Sequence, residues 1–246
     1  RYTGSQGSSI IKVFGLTAAV TGISETAARQ AGIPADQVVL SPMSHAGYYP
    51  GGRVMTMKVI FEKGGGRLLG AQIVGYEGVD KRIDVLATAI RAGMTAPQLK
   101  ELDLAYAPPY SSAKDPVNMA GYVAGNILDG SMRPIFDEDL ESLPEDAQRI
   151  DVRTPGEYEK GTIDGFINIP LDNLRERLGE IDLEKPICVT CQIGLRGYIA
   201  QRILMQSGAK EVVNLAGGYR LWNAARLDAQ SQAAGYRDCA PCGKEK

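Results

Sequence analysis

The sequence is poor in cysteine, histidine and tryptophan, and it lacks long apolar runs. Among 246 residues there are four cysteines, one histidine and one tryptophan. Four cysteines are too few for a secreted disulfide scaffold, so we expect a reduced, cytoplasmic protein. No apolar run approaches the roughly 20 residues that a membrane-spanning helix needs, so no membrane partner is expected.

An excess of charge of one sign is also missing. The 27 basic and 29 acidic residues give a formal net charge of −2, and no basic stripe stands out. Nucleic acid is therefore not an expected partner. The sequence begins at Arg1 without an initiator methionine or an apolar signal core, so we expect it to be one end of a longer chain.

The pattern of apolar residues predicts two domains, 1–130 and 131–246, joined by a linker around Gly130. In the first domain, residues 53–61 alternate in hydrophobicity and a glycine turn leads back over 68–74, which predicts a β-hairpin. Further strands are predicted over 10–20 and 37–40, with helices over 24–30, 79–91 and 116–128. This is an α+β pattern with an antiparallel sheet.

Short strands alternate with helices in the second domain, which predicts a parallel α/β sheet. The predicted strands are 149–152, 166–169, 187–190 and 211–215, and the predicted helices are 171–178, 196–207 and 219–225. The fold class of the whole chain is therefore α/β.

The segment 186–198 (PICVTCQIGLRGY) is the most informative part of the sequence. A strand, a short loop and a helix start direct several backbone N–H groups toward Cys191, which favours a thiolate nucleophile. Arg196 adds a fixed cation. The residues expected to bind a ligand around the cysteine are Gln192, Ile193, Gly194, Leu195 and Gly197. From the spacing alone, a small buried hydrophobic Cys191 is the alternative.

Four motifs of the second domain resemble the rhodanese-like sulfurtransferase family: 151–158 (DVRTPGEY), 161–170, 191–196 and 214–222. The resemblance implies that Cys191 attacks a sulfane sulfur, becomes a persulfide and passes the sulfur to a thiol acceptor. It also implies that Asp151 and Arg153 support the loop, while the loop amides and Arg196 hold the outer sulfur. Thr162 departs from the family, where His is frequent.

Three alternatives stay open for the second domain. A cysteine phosphatase is one, although the related phosphatases have a loop one residue longer. The domain could instead be a non-catalytic docking module on a dimer platform. Cys188, Cys191, Cys239 and Cys242 form two C-x-x-C pairs, a zinc pattern, but one ligand would then be the proposed nucleophile, so no metal is expected. A Cys188–Cys191 disulfide is not expected, because the two side chains of a strand would point to opposite faces.

Residues 7–128 resemble the C-terminal dimerisation domain of flavin-dependent pyridine-nucleotide disulfide reductases. The motifs are 44–51 (SHAGYYPG), 69–72, 79–84 and 106–118 (YAPPYSSAKDPVN), and the most similar subgroup is the coenzyme A-disulfide reductases, including forms fused to a rhodanese domain and acting on persulfides. The resemblance implies a homodimer in which Tyr48 and Tyr106 reach the partner's active-site cysteine and its coenzyme A. Tyr49 and Tyr110 are the alternatives for this pair, and His45 is interpreted as a loop residue.

The nucleotide-binding signature G-x-G-x-x-G does not follow any predicted strand. We therefore expect the FAD- and NAD(P)H-binding domains to be missing, and this chain alone to bind no cofactor and oxidise no NAD(P)H. The resemblance implies FAD and NAD(P)H in the longer enzyme, with coenzyme A as substrate or carrier. Thiosulfate, glutathione persulfide, polysulfide and coenzyme A persulfide are the candidate sulfur donors.

Overall fold

Two five-stranded sheets, one antiparallel and one parallel, organise residues 4–233, the part of the chain that the computed structural model describes. The predicted α/β fold class, with an antiparallel sheet followed by a parallel one, is confirmed. No helix of the described part is long and apolar enough to span a bilayer.

The first sheet has the strand order β1-β2-β5-β4-β3 and only antiparallel pairs. Its strands are β1 (Ser9–Val13), β2 (Leu16–Gly22), β3 (Ala35–Leu40), β4 (Thr56–Glu62) and β5 (Leu68–Gly75). The predicted hairpin is β4–β5. The single strand predicted over 10–20 was wrong, because Phe14 adopts φ 53° and turns the chain back, so that Val13 pairs with Leu16.

Three helices pack in the first domain: α1 (Glu25–Gln30), α2 (Val79–Arg91) and α3 (Pro116–Leu128). The Ser24 hydroxyl accepts the Ala27 N–H and begins α1, as its sequence pattern predicted. Met57, Val59 and Phe61 of β4 lie on one fully buried face and share a core with Leu86 of α2. Burial of this apolar face is what holds the helices on the sheet.

The second sheet has the order β6-β10-β9-β7-β8, and every recorded pair is parallel. Its strands are β6 (Pro134–Ile135), β7 (Gln148–Asp151), β8 (Ile167–Asn168), β9 (Ile187–Thr190) and β10 (Val212–Leu215), and its helices are α4 (Pro155–Tyr158), α5 (Leu195–Gln206) and α6 (Gly218–Ala233). The central strand β9 ends immediately before Cys191.

The helix predicted over 171–178 was wrong. The chain forms two short 3₁₀ helices instead, Leu171–Asn173 and Leu178–Glu180. Within the predicted stretch only Leu174 is fully buried. Leu171, Leu174 and Leu178 all pack on the core of the second domain, but so short a segment does not sustain a continuous α-helix.

The two domains meet beyond the linker. The Arg220 guanidinium of α6 donates to the Ser41 hydroxyl, which follows β3, at 3.1 Å. Arg202 of α5 donates to the linker carbonyl of Ser131, and the Gln201 amide donates to that of Arg133. The boundary between residues 130 and 131 stays a prediction, with α3 ending at Leu128 and the second sheet beginning at Pro134.

Arg82 of α2 is 1% exposed and connects four segments of the first domain. Its guanidinium pairs with Asp115 at 3.0 Å and also donates to the carbonyls of Gly78, Ser44 and Tyr110. Asp115 in turn accepts the Val117 N–H at the start of α3. The buried Arg82 guanidinium therefore hydrogen-bonds both loops, the one that contains Tyr48 and the one that contains Tyr106.

Replacing Arg82 by methionine should destabilise the fold by about 3–5 kcal/mol, because it leaves the buried Asp115 carboxylate with only the more distant Lys81 ammonium, 3.6 Å away, as a cationic partner. Urea denaturation followed by circular dichroism measures the free energy of unfolding. The exposed Arg29→Met variant, on α1, is the control and should change it by less than about 0.5 kcal/mol. Equal effects of the two variants would show that the pairing does not stabilise the fold.

The same pairing predicts how stability depends on pH. Burial raises the pKa of Asp115, but hydrogen bonds from the Val117 N–H, Arg82 and Ser111 outweigh it and leave the pKa below its ordinary 3.8. Asp115 therefore stabilises the fold above pH 3.8, and this contribution is lost as the pH falls through the lower folded value. In Asp115→Asn, the free energy of unfolding should fall less between pH 5 and pH 3 than in the unchanged chain.

Candidate active site

Cys191 lies at the carboxyl end of β9, and its side chain is enclosed by the loop that follows. It is 1% exposed, and its Sγ accepts the Gly194 N–H at 3.1 Å. Gly194 has φ 111°, a conformation that side-chain-bearing residues rarely adopt, and helix α5 begins at the next residue. The Gly194 N–H and the start of α5 thus lie next to this sulfur atom.

The turn between β10 and α6 supports the loop from behind. The Tyr219 N–H donates to the Cys191 carbonyl at 2.8 Å, and the Arg220 N–H donates to the Gln192 carbonyl at 3.0 Å. The Asn214 amide donates to the Gly194 carbonyl at 3.1 Å. Asn214 was not among the predicted site residues, although it opens one of the quoted motifs.

The predicted supporting pair, Asp151 and Arg153, lies beside the loop and is buried. The Arg153 guanidinium makes two short contacts to Asp151, Nη2 to Oδ2 at 2.7 Å and Nε to Oδ2 at 2.9 Å. A further donor of Arg153 reaches the Gln192 side-chain oxygen at 3.4 Å. Thr162, at the position where the family frequently has His, donates to Asp151 at 3.3 Å. The pair thus ties the loop to the sheet.

Arg196 is not a free cation. Both of its terminal nitrogens donate to Glu157 of α4, each at 2.7 Å. The Arg196 hydrogen bonds are the main cause that lowers the pKa of Glu157 to about 2, with smaller contributions from Thr154. Glu157 was not predicted as a site residue. The signal was present, since Thr154 and Glu157 have the spacing of a capping box, which α4 forms.

Cys188 belongs to the opposite face of the second sheet. It is a free thiol packed with Phe166 and Leu215, whereas Cys191 packs with the core that includes Ala200. Burial raises the pKa of Cys188 to about 12. Such a thiol stays protonated and unreactive at neutral pH.

Tyr48 and Tyr106, 58 positions apart, form a pair. Their hydroxyls are 2.8 Å apart, and both side chains are accessible, 77% for Tyr48 and 47% for Tyr106. The hydrogen bond with Tyr48 raises the pKa of Tyr106. A cavity of about 500 Å³ adjoins Tyr106 and is also lined by Lys81 and Tyr110. Two hydroxyls are thus presented together at an open surface.

The alternative residues of the first domain are placed differently. The Tyr49 ring makes an edge contact with His45, whose centroid is 5.7 Å away. His45 is buried, and its Nδ1 contacts the Ala46 carbonyl at 3.1 Å, so it is a packed loop residue as interpreted. Tyr110 lines the same cavity as Tyr106, but the hydrogen bond to Tyr48 is made by Tyr106.

No group of three or more metal-ligating side chains occurs between residues 4 and 233. Cys239 and Cys242, which the zinc alternative requires, lie outside the described residues.

Two family models match the chain. Residues 8–116 match the pyridine nucleotide-disulphide oxidoreductase dimerisation domain, and residues 137–225 match the rhodanese-like domain. The chain therefore joins a domain of each class, and both resemblances noted in the sequence are confirmed.

Individual relatives give a more specific similarity than the two domain matches. The coenzyme A disulfide reductase of Staphylococcus epidermidis is 42% identical over 123 residues, which are 50% of this chain and 28% of the relative. The solved structure of reduced CoADR-RHD from Bacillus anthracis matches with a TM-score of 0.89 and 48% identity, over 92% of this chain and 41% of that one. A NAD-dependent persulfide reductase from A. fulgidus matches with a TM-score of 0.82 and 45% identity, over 90% and 40%.

This chain, with its rhodanese-like match, is thus similar to coenzyme A disulfide reductases and to a persulfide reductase. It spans less than half the length of these relatives.

The close approach of Gly197 to Asn214 yields a test of the loop. A Cβ at position 197 would collide with the Asn214 side-chain oxygen. Gly197→Ala should therefore destabilise the fold by about 1–3 kcal/mol, the usual cost of overpacking. In the Asn214→Ala background the same change should cost less, because the colliding atom is gone. Thermal unfolding of the two single variants and the double variant measures this coupling.

Gly156→Ala is the matched control, because a Cβ there would meet no atom within 4 Å. An equal cost for Gly197→Ala with and without Asn214 would refute the contact.

Proposed function

We propose that this chain is the persulfide-carrying part of a flavin-dependent coenzyme A-disulfide or persulfide reductase. The observation that carries the proposal is the enclosure of Cys191 Sγ by a loop whose Gly194 N–H contacts the sulfur at 3.1 Å. Backbone donors fixed before the reaction stabilise negative charge without reorganisation. The rhodanese-like match over residues 137–225 supports this assignment.

In the proposed first step, the Cys191 thiolate attacks the sulfane sulfur of a donor such as thiosulfate. A sulfur–sulfur bond forms on Cys191, the donor's own bond breaks, and sulfite leaves with the electron pair. In the second step an acceptor thiolate attacks the outer sulfur. Cys191 then leaves as a thiolate, and the acceptor carries the persulfide. Coenzyme A is the proposed acceptor, and glutathione persulfide, polysulfide and coenzyme A persulfide are further candidate donors.

The surrounding residues have distinct proposed roles. The amides of residues 192–197 would bind the outer sulfur of the persulfide, and Arg196, held by Glu157, would add positive charge at the rim. Asp151 and Arg153 would position the loop through the contact of Arg153 with Gln192. In this proposal the Cys191 sulfur reacts, and the buried Asp151–Arg153 pair positions the loop around it.

The first domain is proposed to form a homodimer. It is also proposed to contribute residues to the reductase active site of the partner subunit. Tyr48 and Tyr106 would donate hydrogen bonds toward the partner's reductase site, where a thiolate develops when a disulfide or persulfide is reduced. FAD and NAD(P)H would bind to domains outside this chain, and this chain alone is expected not to oxidise NAD(P)H. The whole enzyme is proposed to work in the cytoplasm.

Intact-mass spectrometry after brief thiosulfate treatment tests the sulfur chemistry. We expect a gain of one sulfur atom that cyanide removes as thiocyanate, and no gain for Cys191→Ser. Cys188→Ser is the matched control and should still gain the sulfur, because the Cys188 thiol is buried and protonated.

A folded chain that gains no sulfur, although iodoacetamide still alkylates Cys191, would favour the docking-module alternative. Hydrolysis of an aryl phosphate, lost in Cys191→Ser, would favour the phosphatase alternative.

Native mass spectrometry at micromolar concentration tests the proposed dimer. A mass of two chains is expected for the unchanged protein and for the Cys191→Ser variant, since Cys191 belongs to the other domain. A single-chain mass for both would contradict the dimer and the proposed roles of Tyr48 and Tyr106.

A further inference from the structure

A second cavity, of about 480 Å³, lies between the two domains next to the Cys191 loop. One wall comes from helix α3 and the residues that follow β3, and the other from the outer side of the loop, including Ile193 and Leu195. This volume falls within the range of small-molecule sites. The cavity is separate from the one beside Tyr106.

The wall is largely apolar, with Leu40, Met43, Met119, Val123, Ile193 and Leu195 as its main aliphatic side chains. Lys114 is the one charged side chain in the lining, and no aspartate or glutamate accompanies it. The Lys114 ammonium lies 5.2 Å from the centroid of the Tyr122 ring, another lining residue. No carboxylate in the described part of the chain forms an ion pair with Lys114.

Asn214 adds a polar group to the same lining. It is fully buried, its amide nitrogen donates to the Gly194 carbonyl, and its Oδ1 faces Gly197, which does not line the cavity. The lining therefore combines an apolar surface, one unopposed cation and a small number of polar atoms.

We propose that this cavity binds a small organic anion, with an apolar or aromatic body among the aliphatic side chains and a single negative group paired with Lys114. The lone cation favours one negative charge, and the absence of a carboxylate from the lining removes repulsion. Such a ligand would contact the outer side of the loop that encloses Cys191. The proposal requires no sulfur chemistry and is independent of the proposed function.

Fluorescence titration with two probes of similar shape tests the charge complementarity. Anilinonaphthalene sulfonate carries one negative charge, and N-phenyl-1-naphthylamine carries none. Both should bind with one saturable site per chain. Lys114, like Lys63, is exposed, so Lys114→Met should weaken binding of the sulfonate by no more than about fivefold, as expected for an exposed ion pair, and leave the neutral probe unchanged. The exposed Lys63→Met variant is the control and should alter neither.

Two further variants locate the site. Ser112 lines the cavity, so Ser112→Asp should weaken binding of the sulfonate, while the neutral Ser112→Asn should not. Met119→Trp should fill the space and remove both probes, with circular dichroism checking that the variant folds.

The proposal is overturned if these variants bind the sulfonate as the unchanged chain does. It is also overturned if Phe14→Ser removes the binding, since Phe14 is 99% exposed on a distant apolar hairpin. Cys191→Ser should bind both probes normally. Loss of sulfur transfer and loss of probe binding are thus separate results.

Discussion

A buried arginine paired with an aspartate organises each domain. Arg82 pairs with Asp115 in the first domain and Arg153 with Asp151 in the second, and each arginine is 1% exposed. A guanidinium has five donors, so those left after pairing can hold irregular backbone. Arg82 uses them on the carbonyls of Ser44 and Tyr110, and Arg153 on that of Gly161.

Buried ion pairs add little net stability, because removing charge from water is costly. Their value here is that they fix loops which sheet hydrogen bonds cannot reach. The tyrosine loops of the first domain and the cysteine loop of the second both depend on such a pair. The chemistry-bearing residues of the chain therefore lie on irregular segments, while the charges that position them are buried beneath.

Local signals predicted much of the fold. Helices α2 and α3 were predicted with their observed ends, because their signals lie in neighbouring residues. These signals are the apolar periodicity of α2 and the proline at the start of α3. The turn at Phe14 was missed although Gly15, a common turn residue, interrupts the apolar run at that point. The leucines of the segment 171–178 pack on the core as the predicted helix would, but the backbone forms two separate 3₁₀ helices.

The site was predictable where a motif is contiguous and not where distant residues meet. Cys191 and its loop were identified from one segment. The Arg196–Glu157 pair joins residues 39 positions apart, and the Arg220–Ser41 contact spans 179. Periodicity carries no information at such distances, so these contacts emerge only from the fold.

The single tryptophan of the sequence has an unusual position. The Trp222 ring stacks on Tyr219 with centroids 5.8 Å apart, and the Tyr219 ring carries the Arg153 guanidinium at 4.1 Å. The backbone of Tyr219 also donates to the Cys191 carbonyl. Indole emission responds to nearby charge, and the Arg226 guanidinium also lies 4.7 Å from the Trp222 ring centroid. We therefore expect the fluorescence of Trp222 to report changes at the Cys191 loop that move Tyr219, without an attached dye.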